Sequence, residues 1–116
     1  MNESAPLSSG AIAESRAADF LLSQKFKILD RNWKNRWCEI DIVAEKAGTI
    51  HFVEVKFRKT VLYGSGFDYI GSDKQSRLKR AAEMWMLANR RNGDYQIDAI
   101  SITCNQIDYL ENAVVE

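Results

Sequence analysis

Residues 38–57, "CEIDIVAEKAGTIHFVEVKF", hold two runs in which apolar and polar side chains alternate, on either side of "KAGT". Such alternation marks half-buried strands, and a glycine-containing break this short joins them as an antiparallel hairpin. With Ala47 and Gly48 as a two-residue loop, Lys46 faces Thr49 and the rest of the register follows. Asp41 then lies across from Glu54, and Glu39 across from Lys56, all on one face; a slip of one residue would scatter them. Along the second of these strands Glu54 and Lys56 share their face with Phe52, while His51, Val53, Val55 and Phe57 point the other way.

The flanking segments build a sheet and helices around that hairpin. "FKILDRNW" reads as a preceding strand, so that three strands form an antiparallel meander. Before it, residues 11–24 are predicted helical, with Ala17, Ala18, Leu21 and Leu22 as the apolar stripe. Glu14 falls near the middle of that stripe. It is either a first-turn glutamate favoured by the helix dipole or a carboxylate delivered to a site. After Arg58, "RKTVLYGSGFDYIG" is too rich in glycine for a helix and is expected to be a long connection. A second helix then runs from Ser72, with Ser72 and Gln75 as a capping box and Leu78, Ala81, Ala82, Trp85 and Ala88 as its inner face. "YQIDAISIT" and "QIDYLEN" close the chain as two strands hinged about Cys104 and Asn105. A strand that follows a long helix tends to enter its sheet parallel to the strand before the helix. The expected fold is therefore α/β, a mixed central sheet flanked by helices in the order α-β-β-β-α-β-β.

At 116 residues the chain suits one domain, expected over 10–116 behind a flexible N-terminal arm over 1–9 that contains the sole proline, Pro6. No run reaches the roughly 20 apolar residues of a membrane helix and no signal core follows the N-terminus, so a cytoplasmic location is expected. Cys38 and Cys104 lack metal-binding or disulfide spacing and read as free thiols. The formal charge of zero conceals segregation. Lys25, Lys27, Arg31, Lys34 and Arg36 face only Asp30 within 25–36, residues 72–93 are again basic, and residues 94–116 contain no lysine or arginine. Two basic stretches can present one face to phosphates, or simply be solvated surface.

Two carboxylates opposed across a hairpin repel by about 3 kcal/mol at roughly 5 Å and an effective dielectric near 20. A cross-strand pair with Lys56 returns only about 0.2–1 kcal/mol. A divalent cation between Asp41 and Glu54 removes the conflict, and Mg²⁺ characteristically takes one or two protein carboxylates, leaving room for water and phosphate oxygens. The Val55 carbonyl can supply a further oxygen, and Lys56 is placed to steady an attacking water or developing phosphate charge. His51, on the other face, reads as a packed strand residue. P-loop, dinucleotide-binding and serine-hydrolase motifs are absent from the sequence.

Asp41 followed by Glu54-Val55-Lys56 resembles the D…ExK core of the PD-(D/E)XK, or restriction-endonuclease-like, superfamily. With "GAIAESRAADFL", "ILDRNW", "EIDIVA", "FVEVKFR" and "DKQSRLKRAA", the chain from Gly10 onward is similar to the YraN family of bacterial proteins. The sequence departs from the pattern in two ways. Ile40 stands where the superfamily's proline would be, and Trp37 and Cys38 precede "EID" where YraN proteins usually have glycine. The resemblance implies a restriction-endonuclease-like fold. By similarity to archaeal Holliday-junction resolvases, it also implies a helix glutamate in the site, which carries over to Glu14 beside Asp41, Glu54 and Lys56.

The function so implied is Mg²⁺-dependent hydrolysis of DNA, branched or irregular, with Mn²⁺ as a substitute metal. Asp41, Glu54 and Val55 would bind the ion, and Lys34, Arg36, Arg58, Lys74, Arg77 and Arg80 would contact phosphates without reading sequence. A homodimer is compatible with it, because one metal site cuts one strand. The alternative is a nucleic-acid-binding or protein-interaction module that keeps the fold without turnover. A third reading makes Glu39 and Lys56 a plain cross-strand pair.

Overall fold

The computed structural model describes residues 9–58 and 71–114. Helix α1 (Ser9–Ser23) turns Ala13, Ala17, Ala18 and Leu21 inward. Three alanines along one side let the helix axis lie close to the sheet. Leu22 was expected on this stripe but is 54% exposed. At 100° per residue it falls about 40° beyond Ala18, off the buried arc, whereas Ala13 falls on it.

Strands β1 (Lys27–Lys34), β2 (Glu39–Lys46) and β3 (Thr49–Phe57) form the meander. The β2–β3 hairpin has the register expected from a two-residue loop, with Lys46 opposite Thr49 and Ile42 opposite Val53. Ala47 and Gly48 both have positive φ, 52° and 83°, which is the backbone of a turn whose twist matches that of the strands it joins. Helix α2 (Ser72–Ala88) then returns the chain to β4 (Tyr95–Ile102), which runs parallel to β3, and β5 (Ile107–Val114) pairs antiparallel with β4. The sheet order is β1-β2-β3-β4-β5. The element order and the mixed sheet match the expectation, and the last hairpin turns about Cys104 and Asn105, where the Thr103 amide donates to the Gln106 carbonyl.

The helices cover opposite faces. On one side Leu78, Ala81, Ala82, Trp85 and Met86 of α2 pack on Ile40, Val43, Phe52 and Ile97. On the other, α1 packs on Ile42, Val53, Ile100 and Ile102. Met86, rather than the expected Ala88, completes the buried face of α2; Ala88 ends the helix and is exposed. The expected capping box is not formed. Gly71 is the N-cap, its carbonyl accepts the Gln75 amide, and Ser72 is already helical. Cys38 is buried in the α2 layer and Cys104 is exposed, both as free thiols.

Of the expected arm only Ser9 is described, and it opens α1; the connection expected over 58–71 lies outside the described residues apart from Arg58 and Gly71. Among the described residues no helix is long and apolar enough to cross a membrane.

Candidate functional site

The β2–β3 ladder runs from the turn to Ile42 and Val53. Beyond that pair the strands are joined by a side chain: Asp41 Oδ2 accepts the Val55 amide at 2.8 Å. The cause lies in β2. Strict alternation would put Ile40 and Ile42 on one face, yet Ile40 and Val43 pack in the α2 layer and Ile42 in the α1 layer. The alternation therefore breaks around Asp41, and its carboxylate does the work of a backbone carbonyl. Asp41 and Glu54 still meet, as the register argument anticipates, but at the open end of the hairpin rather than as a continuous pair.

The electrostatics of the pair are distinct from those of a solvated face. Burial, and then the neighbouring Glu54 carboxylate, push Asp41 up to about 7; Glu14 adds to the rise, and only the Val55 N–H opposes it. Near neutral pH Asp41 thus holds a proton for part of the time. Glu54 has a different relief. Lys74 Nζ lies 3.2 Å from Glu54 Oε2, with the Glu54 side chain only 12% exposed and that of Lys74 45%. Expected among the phosphate contacts, Lys74 reaches back from the first turn of α2 and neutralises a site carboxylate. Lys74 lies one turn before Leu78, in line with the inner face of α2.

Glu14 is half-buried in the second turn of α1, which starts at Ser9, so the first-turn dipole explanation does not apply. Its charge reaches Asp41 from the α1 side while Lys74 arrives from the α2 side. Lys56, two residues beyond Glu54 on β3, is half-buried. Among the described residues no three His, Cys, Asp or Glu side chains gather at metal-ligand spacing. Asp41 and Glu54 nevertheless suit a divalent cation of the Mg²⁺ type, which needs only one or two carboxylates from the protein. A carboxylate pair that raises its own proton affinity for want of a cation is the donor set such an ion would satisfy. Val55 takes part through its amide.

The two basic segments of the sequence converge beside this pair. Lys34 and Arg36, at the β1–β2 turn, and Lys74 and Arg77, on the first turns of α2, line one open cleft of about 320 Å³, together with Trp37 and Glu39. Arg80 lies beyond Arg77 on the solvent side of α2, near Asp73 and Ser76. Arg58 directly follows β3, its amide bonded to the Ile102 carbonyl.

His51 is buried, as expected of a packed strand residue, but it belongs to a network that the sequence did not suggest. Its Nδ1 lies 2.6 Å from Asp98 Oδ2, and Tyr109, Gln96 and the Asn112 amide also donate to Asp98. Asp98 is wholly buried. Burial pushes its carboxyl up, but the four hydrogen bonds, led by His51, outweigh that and hold it below the usual range. Asp98 sits where the β4–β5 register shifts, and Asn112, with φ 53°, forms the kink whose amide it takes. This is a structural brace for the sheet edge. An acid inside the apolar run "YQIDAISI" was its one visible sign.

Comparison with solved structures places the fold. Archaeoglobus fulgidus Hjc, a Holliday junction resolvase from an archaeal hyperthermophile, superimposes with a TM-score of 0.63 over 94% of this chain and 77% of its own, at 19% sequence identity. The chain therefore has the Hjc-like restriction-endonuclease fold. Closer in sequence are bacterial UPF0102 proteins. That of Fusobacterium nucleatum is 34% identical over 103 residues, 87% of this chain and 86% of its own. One from Vibrio cholerae is 35% identical over 108 residues (89% and 88%), and one from Sulfurimonas denitrificans 39% identical over 103 residues (89% and 93%). The model of the uncharacterised protein family UPF0102 matches residues 13–102, and with these relatives it shows that the chain belongs to that YraN-like family.

Proposed function

We propose that this protein is a cytoplasmic metal-dependent endonuclease that hydrolyses phosphodiester bonds in DNA, with branched or irregular DNA as its substrate. The observation that carries the reading is the pairing of Asp41 and Glu54 at the open end of the β2–β3 hairpin, where Asp41 is pushed up to about 7 by burial and by its neighbour. Asp41 and Glu54 would hold a Mg²⁺ or Mn²⁺ ion, with the Val55 carbonyl as a further oxygen. When bound, such an ion supplies a Lewis acid for phosphate oxygens and lowers the pKa of a coordinated water.

The other roles fall to the chain's own residues. Lys56, on the strand that carries Glu54, offers a point charge to orient water and to offset charge on the phosphate. Glu14 completes the acidic set from α1. Lys34, Arg36 and Arg77 hold the backbone of the nucleic acid along the cleft, with Arg80 and Arg58 at its margins. Lys74 pairs with Glu54 and would be available to join them if a cation occupied that carboxylate. The Hjc-like fold is compatible with a nuclease reading.

One observation favours the second reading, a binding module without turnover. Lys74 on Glu54 and the proton on Asp41 already relieve much of the repulsion that a metal would relieve. The test is incubation of the full chain with labelled four-way, flapped and duplex DNA in Mg²⁺, Mn²⁺ and chelator, alongside Asp41→Ala and Glu54→Ala. Metal-dependent cleavage that both substitutions abolish is expected. Salt-sensitive binding that persists in chelator, with no cleavage in either metal, would establish the binding module instead.

A further inference from the structure

The cleft beside the carboxylate pair carries a feature that backbone binding does not require. Trp37 is 62% exposed, an unusual state for the largest side chain, and Arg36 lies over its ring at 5.2 Å from the centroid. With the guanidinium on one side and such exposure remaining, an indole face is left open to solvent. The mount is firm. Asn35 Oδ1 accepts the amides of both Trp37 and Cys38 at 2.9 Å, and the Asn35 amide donates to the Cys38 carbonyl at 2.9 Å. Asn35 Nδ2 in turn reaches Met84 Sδ of α2 at 3.3 Å, and Cys38 is buried beneath. The tip of the β1–β2 hairpin is thus tied to the helix, and Trp37 is held out from it.

A rigid indole, backed by arginine and set among Lys34, Lys74 and Arg77, has the chemistry of a stacking platform in a phosphate-binding groove. A base in a paired, stacked duplex has no free face to offer it. We infer that Trp37 and Arg36 bind an unpaired nucleobase, so that this protein engages its substrate where single strand meets duplex. The inference rests on the nuclease reading only for its consequence, which is that the stacked base fixes where cleavage falls. Asp41 lies four residue steps after Trp37, at most about 14 Å of chain, or roughly four nucleotide steps.

The test is equilibrium binding in chelator, where no cleavage occurs, using the full chain, a 12-nucleotide single strand and a blunt 12-base-pair duplex. Single strand is expected to quench tryptophan emission in the native protein and not in Trp37→Phe, since Trp85 is buried and Trp33 half-buried. Trp37→Ala is expected to weaken single-strand binding roughly five- to a hundredfold. It should leave duplex binding within about twofold, while Trp37→Phe retains most of the affinity. The inference is overturned by quenching that persists in Trp37→Phe, by equal losses for both DNAs in Trp37→Ala, or by no loss at all. It is equally overturned if Trp37→Ala abolishes self-association of the protein and leaves single-strand binding intact, which would make the patch a subunit interface. Cleavage in Mn²⁺ by the same variants separates the two ideas: activity retained without strand discrimination sinks only the platform, and a native protein that neither binds nor cuts sinks both.

Discussion

Replacing Asp41 by Asn isolates the electrostatics of the carboxylate pair. The amide keeps an oxygen for the Val55 N–H but cannot ionise, so the strand junction survives while the charge is removed. In the native protein Asp41 rises from 3.8 to about 7, through burial first and the Glu54 and Glu14 charges after it. A carboxyl raised on folding contributes stability that is fully present below its unfolded pKa and is lost as pH climbs through the folded value. Three units correspond to roughly 4 kcal/mol lost between about pH 4 and pH 7, and partial exposure and salt reduce that to as little as about half. Asp41→Asn should therefore gain on the native protein by about 2–4 kcal/mol as pH rises from 4.5 to 8, and the difference should be flat above pH 8. Urea denaturation of both proteins in chelator reads this as a relative rise of about 1–3 M in midpoint. Addition of 10 mM Mn²⁺ should then favour the native protein alone, by about 1.4 kcal/mol for a millimolar site. A stability difference that does not change from pH 4.5 to 8 would refute the reasoning.

Three further outcomes follow from the same geometry. Because a cation must displace the proton on Asp41, Mn²⁺ affinity measured by calorimetry should strengthen up to tenfold per pH unit below about 7 and level off above it; a constant affinity from pH 5.5 to 8 would exclude Asp41 as a ligand. Lys74→Met should cost less than about 1 kcal/mol of stability, since the Lys74 side chain is 45% exposed, yet raise metal affinity several-fold by removing the rival cation from Glu54; weakened metal binding would contradict this. Asp98→Ala strands His51, Tyr109 and the Asn112 amide, and should lower stability by about 3–5 kcal/mol at neutral pH, as seen by thermal melting. The contribution of Asp98 is present above its unfolded pKa and fades as pH falls through the depressed folded value, so the deficit should narrow in acid.

The parts that were legible in the sequence are those set by short-range rules. A two-residue turn at Ala47-Gly48 leaves one register as far as Ile42 and Val53, and it leaves Asp41 beside Glu54 at the open end of the hairpin. The parallel entry of β4 followed from the helix before it. What was hidden depends on contacts between distant segments. Lys74 meets Glu54 only because of how α2 is rotated on the sheet after a connection of a dozen residues. Asp98 is held by residues 47 positions earlier and 11 and 14 later, and a bulge brings them together. The Ser72–Gln75 spacing satisfied the pattern for a cap, yet a backbone that was already helical at Ser72 had no use for one. Around Asp41 local alternation misled in an informative way, because the break in pattern between Ile40 and Val43 is what opens the hairpin.

The bond between the Val55 amide and Asp41 gives the protein an internal spectroscopic reporter. A backbone amide in a strand ordinarily donates to a peptide carbonyl, whose charge does not change with pH or metal. Val55 donates to an oxygen that is protonated in one state and bare in a second, and that the proposed function would have shared with a cation in a third. In 15N-labelled protein the proton and nitrogen resonances of this single amide should therefore move through three positions, tracing the titration of the site and its occupancy. The occupancy of the centre can in this way be followed at the carboxylate itself, independently of cleavage and of the tryptophan signal from the neighbouring cleft.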